Sequence, residues 1–96
     1  MLQHLIVRTS DAKKLKPLIK SALEREAKLL DHSIQRTLQA LAPYESRYAM
    51  TSEDFERKFK VREVEETLDY LDWWIEIEAL RHLEAQRACL KETQLD

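Results

Sequence analysis

Two apolar positions recur every seven residues from Leu23 to Tyr48. Leu23, Leu30, Thr37 and Tyr44 form one set; Ala27, Ile34, Leu41 and Tyr48 form the other. A heptad pattern held that long fits a helix that lays one seam against another helix. A strand does not fit it, because alternate strand residues face opposite ways. Leu15, Ile19, Ala22, Leu29 and Leu38 widen the apolar face beyond the seam, so this helix is expected to meet more than one neighbour.

The absence of glycine sharpens the constraint. The chain has no Gly and only two Pro in 96 residues. Walker loops and dinucleotide-binding turns need Gly backbone, and so do the commonest tight hairpins. With 35% charged residues the chain favours long helices, and with 44% hydrophobic residues it has too much apolar surface to stay disordered.

Taken in order, residues 1–13 read as a flexible or partly ordered segment, with His4–Val7 a short strand or a helical extension. Ser10 and Asp11 offer a cap. The first firm helix is expected from Lys14 to Pro17 onward, with Pro17 in its first turn. Pro43 is expected to kink that helix or end it just before. Thr51 then reads as an N-cap answered by Asp54. Met50 and Phe55 stand where a hydrophobic staple would put them. A turn at 46–51 and a short helix from 52 to about 60 follow. The last helix is read from Arg62 to Lys91, with Glu63, Glu65 and Glu66 in its first turn to match the dipole. Residues 93–96 are expected to fray.

That last helix carries two apolar stripes. Val61, Val64, Leu68, Leu71, Ile75, Ala79, Leu83 and Leu90 trace one; Trp73, Ile77 and Leu80 trace a second to its side. The longer stripe is taken as the core face. Trp74 is then nearer the core, and Trp73 is the better candidate for meeting a partner. The fold expected is all-α: an antiparallel hairpin of two long helices joined by a short capped helix, forming one domain over residues 14–92. Two helices bury little, so dimerisation into a four-helix bundle is expected, with Leu23, Leu30, Ile34, Leu41, Leu68, Leu71 and Ile75 as its core.

Charge is uneven although the net is only −2. Residues 1–36 hold eight Lys/Arg against four Asp/Glu, and residues 63–96 hold three against ten. From Glu63 to Leu80 no basic residue balances seven carboxylates. Such a helix suits a basic protein partner. The expected docking set is Phe55, Phe59, Asp69, Asp72, Trp73, Trp74, Glu76, Ile77, Glu78 and Leu80, since aromatic side chains dominate binding hot spots. The basic residues are interspersed with acids and lack an aromatic platform, so nucleic-acid binding by this chain alone is not expected. Catalytic constellations, metal ligand sets and cofactor motifs are not recognised. Glu78 and His82 are four apart, but no Glu-x-x-His pair accompanies them. The lone Cys89 and the lack of a signal or membrane-spanning segment suit the cytoplasm.

LIKSALEREAKLL (18–30), RYAMTSEDFERKF (47–59) and EETLDYLDWWIEIEAL (65–80) together resemble small helical proteins encoded beside bacterial and archaeal toxin genes. These look like antitoxins of type II toxin–antitoxin modules. Many such proteins carry Gly before the Met of the turn and another after the Lys-Phe pair, where this chain has Ala49 and Val61. The resemblance implies a non-enzymatic protein that neutralises a cognate toxin encoded by the adjacent gene, a ribonuclease or an enzyme of nucleotides. A self-assembling coiled-coil scaffold is the alternative. A metal-binding bundle stands third.

Overall fold

The computed structural model describes residues 3–5 and 12–95. Helix α1 spans Ala12–Tyr48, α2 spans Ser52–Lys60 and α3 spans Leu68–Glu92. α1 and α3 pack antiparallel as a helical hairpin, and α2 lies across its closed end. Strand β1, Gln3–Leu5, pairs in parallel with β2, Thr93–Leu95, so the tail expected to fray supplies a short strand at the open end. The Ser10–Asp11 cap lies outside the described residues. The molecule measures 58 × 23 × 17 Å.

α1 is continuous over 37 residues, roughly 55 Å at 1.5 Å per residue. Both prolines lie inside it. Pro43 therefore does not end the helix, and Pro17, the sixth residue, lies beyond the first turn. Each removes one backbone hydrogen bond. The seam tolerates the loss because its apolar residues hold α1 against α3 on either side of Pro43.

The heptad seam faces inward as its spacing predicts. Leu30 and Leu41 are buried, and Leu23, Ala27, Ile34, Thr37, Tyr44 and Tyr48 are half-buried. Leu30 and Leu41 are thus buried within the single chain, while Leu23 and Ile34 keep part of their surface open. Leu41, Phe55, Trp73, Ile77 and Leu80 form the central cluster.

The corner between α1 and α2 is built on a left-handed residue. Ala49 has φ 49°, and the Met50 amide donates to the Glu45 carbonyl at 3.2 Å. That closes α1 as a Schellman-type end with Ala in the place glycine usually takes. Thr51 caps α2: its hydroxyl accepts from the Asp54 amide at 3.1 Å, while Met50 packs on the cluster that contains Phe55. The Asp54 carboxylate takes Arg57 instead of answering back to the cap.

α2 ends the same way. Arg62 has φ 58°, and the Glu63 amide donates to the Lys58 carbonyl at 2.8 Å. The left-handed position is Arg62, one beyond Val61. This breaks the helix that the apolar pattern would carry through 62–67. α3 starts at Leu68, capped by Thr67, which accepts from the Tyr70 amide at 3.1 Å. Glu63, Glu65 and Glu66 accordingly precede α3, and Asp69 is the one acid in its first turn.

Candidate interaction surface

Trp73 decides which face of α3 is free. Its side chain is 0% exposed, and its indole N–H donates to the buried Ser52 hydroxyl at 3.0 Å. Phe55 stacks on it with ring centroids 4.0 Å apart and planes 3° apart. Tyr44 and Tyr48 stack farther out at 5.8 and 5.9 Å. A buried aromatic of this kind is worth about 3–5 kcal/mol against truncation to Ala. Trp73 is therefore the centre of the fold, and the expectation that it meets a partner is corrected.

Trp74 is the half-buried one. It stacks on Phe59 at 4.8 Å, with the Lys60 ammonium 6.0 Å from its ring centre. The inward stripe of α3 is Tyr70, Trp73, Ile77 and Leu80. The stripe taken from sequence as the core face points outward: Leu68 is 81% exposed, Ile75 61% and Leu71 38%. Both stripes have helical spacing. α2, which brings Phe55 and Ser52 to one of them, selects it.

The expected docking set divides accordingly. Phe55, Trp73, Ile77 and Leu80 are buried in the chain's own core, and Phe59 is half-buried against Trp74. Asp69 is engaged at the closed end, where it accepts from the Tyr48 hydroxyl and the Arg47 guanidinium. The Tyr48 hydrogen bond, then Arg47, hold its carboxyl below the usual range. Asp72 and Glu78 are exposed and Glu76 is half-buried, so these three and Trp74 remain presented.

What results is an apolar ridge in an acidic setting. Leu68, Leu71 and Ile75 run along the outer side of α3. Asp72 and Glu78 lie on the same helix, and Glu65 and Glu66 lie just before it, all exposed. Val61, 60% exposed, stands at the end of α2. Two ion pairs tie α3 to its neighbours. Arg81 forks onto Glu56 at 2.9 and 3.3 Å, tying α3 to α2. Arg81 lowers the Glu56 pKa through that bond. Arg87 donates to Asp31 at 2.7 Å and ties α3 to α1.

The chain matches no family model, no curated protein and no solved structure.

Among the described residues, no three His, Cys, Asp or Glu side chains converge where a metal could sit. No described helix is long and apolar enough to cross a membrane. Sequence reasoning missed Ser52 as the partner of the buried indole and Glu56 as the partner of Arg81. Ser52 carried a weak signal, as a small polar residue just inside a capped helix beneath an aromatic pair. The Arg81–Glu56 pair spans 25 positions and had no local signal.

Proposed function

We propose that this chain is a non-enzymatic interaction module that binds a basic protein through the outer side of α3. The observation that carries the reading is the exposure of Leu68, Leu71 and Ile75 on α3, which with the segment leading into it has no basic residue from Glu63 to Leu80. Apolar side chains at i, i+3 and i+7 give a partner helix or sheet a surface to cover. The surrounding carboxylates steer a basic partner toward it and oppose an acidic one. The core aromatics hold the ridge in place and do not themselves make contact.

The sequence resemblance supports a finer proposal: an antitoxin of a type II module, acting in the cytoplasm on a basic toxin that handles RNA or nucleotides. Co-expression with the product of the adjacent gene tests it. A stable stoichiometric complex is expected. Asp72→Lys/Glu78→Lys should weaken that complex at least about tenfold, with helicity unchanged. Repeated absence of a complex would remove the antitoxin proposal. Unaltered affinity in the charge-reversal variant would place the partner on another surface. The coiled-coil scaffold is the second reading, favoured by exposed Leu18 and Leu29 on α1.

A further inference from the structure

The edge of the hairpin formed by α1 is also apolar, and its charge is opposite to that of the α3 ridge. Leu18 and Leu29 are 66% and 57% exposed, with exposed Ala22 between them. Positions 18, 22 and 29 share one helix face, away from the seam at 23, 27, 30 and 34. Arg25 and Arg36 fall on that same face, and both are exposed. Neither forms an ion pair with another described residue. Among the described residues, Glu26 is the carboxylate that flanks this face. One hairpin therefore presents a basic apolar ridge on α1 and an acidic apolar ridge on α3, each turned away from the shared core.

We propose that a second copy of this chain covers the α1 ridge: α3 of one hairpin packs on α1 of the next. Charge complementarity selects this pairing over α3 on α3, which would bring Asp72 and Glu78 toward their own copies. The two ridges differ, so each contact joins unlike surfaces; two copies related by a two-fold axis make it twice, each copy's α3 on the other's α1. A pair that makes the contact only once leaves one ridge of each kind open, and association then runs on past the dimer. Each contact centres on a few side chains, against about 20–30 residues a side in a standard interface, so the assembly forms only at raised concentration and weakens with salt. The inference deepens the scaffold reading, which rests on the same Leu18 and Leu29, and it shares only the α3 ridge with the partner reading. It adds that a basic partner on α3 would compete with assembly.

The experiment is sedimentation equilibrium of the full chain at low salt over a range of concentrations, with two edge variants. Leu18→Glu/Leu29→Glu blocks the α1 ridge, and Leu68→Glu/Ile75→Glu blocks the α3 ridge. Circular dichroism checks that each stays helical. The parent is expected to rise in mass with concentration, to a dimer or beyond. Each variant alone should stay monomeric. An equimolar mixture should form a one-to-one heterodimer and stop there, because only one working pair of edges remains. Should the α1 variant fail to fold, Arg25→Glu/Arg36→Glu replaces it, and should the α3 variant fail, Asp72→Lys/Glu78→Lys does; those side chains are exposed, and each change should weaken association about tenfold at low salt. A parent that is monomeric throughout, a variant that self-associates alone, or a mixture that stays monomeric would each overturn the proposal. Partner binding is measured at dilutions where the parent is monomeric, so the two readings fail separately.

Discussion

Replacing Ser52 by Ala isolates one bond at the centre of the fold. The Ser52 hydroxyl accepts the Trp73 indole N–H at 3.0 Å, and the two residues are 5% and 0% exposed. In Ser52→Ala the indole N–H keeps its burial and loses its acceptor. A buried donor left unpaired costs about 1–3 kcal/mol. Two offsets are small. The cap is Thr51, not Ser52, and the Ser52 amide keeps its bond to the Glu45 carboxylate, since Ala retains that N–H. Ala also gains a few tenths of a kcal/mol, about 0.5 at most, in helix propensity. The net loss should be about 1–2 kcal/mol, or roughly 5–15 °C in Tm for a domain of this size. Urea unfolding followed by circular dichroism measures it, with an unchanged m-value expected. Trp73→Phe removes the donor as well, so adding Ser52→Ala to Trp73→Phe should cost much less than it does alone. The coupling in that cycle should be at least about 0.5 kcal/mol. A Ser52→Ala variant as stable as the parent, or strict additivity with Trp73→Phe, would refute the assignment of this bond as a buried anchor.

Two further outcomes follow from the corners and the closed end. Ala49→Gly should raise stability by about 0.5–1 kcal/mol, because a left-handed Ala costs about 1–2 kcal/mol and Gly gives back part of that in chain entropy; no gain on thermal unfolding would mean that φ 49° carries no strain. Asp69 has a depressed folded-state pKa, so its contribution is present above its unfolded value, about 3.9, and is lost as pH falls through the lower folded value. Asp69→Asn should therefore flatten the acid limb of the stability–pH curve and leave its shape around neutral pH unchanged; an unchanged acid limb would remove the Asp69 contacts as a source of stability.

Much of the architecture was legible because the evidence for it is local. The seam from Leu23 to Tyr48 holds one period for nearly four heptads, which the scattered apolar residues beside it do not, so its direction was settled by sequence. The Thr51 cap and the Met50–Phe55 staple lie within five residues, and each needs only the other to be recognised. The phase of α3 was not legible. Leu68, Leu71 and Ile75 repeat as regularly as Trp73, Ile77 and Leu80, and periodicity says that a face exists without saying which face is covered. That choice rests on α2, which sets Phe55 and Ser52 against Trp73 across 18 and 21 positions of chain. The start of α3 was hidden for a related reason. Arg62 gives no signal for a left-handed turn, and the apolar spacing from Val61 to Leu68 passes through the break. The candidate site suffered most from this, because an inverted phase exchanges docking residues for core residues.

Everything proposed for the α3 ridge depends on that phase, and residues 75 and 77 report on it directly. Ile75 is 61% exposed and Ile77 is 1% exposed, two positions apart on one helix. The decisive measurement is the unfolding free energy of Ile75→Glu beside Ile77→Glu, in dilute protein. Ile75→Glu should stay within about 0.5 kcal/mol of the parent. Ile77→Glu should lose at least about 3 kcal/mol or fail to fold, since it removes a core side chain and buries a carboxylate. The reverse order would place Leu68, Leu71 and Ile75 in the core and contradict the account.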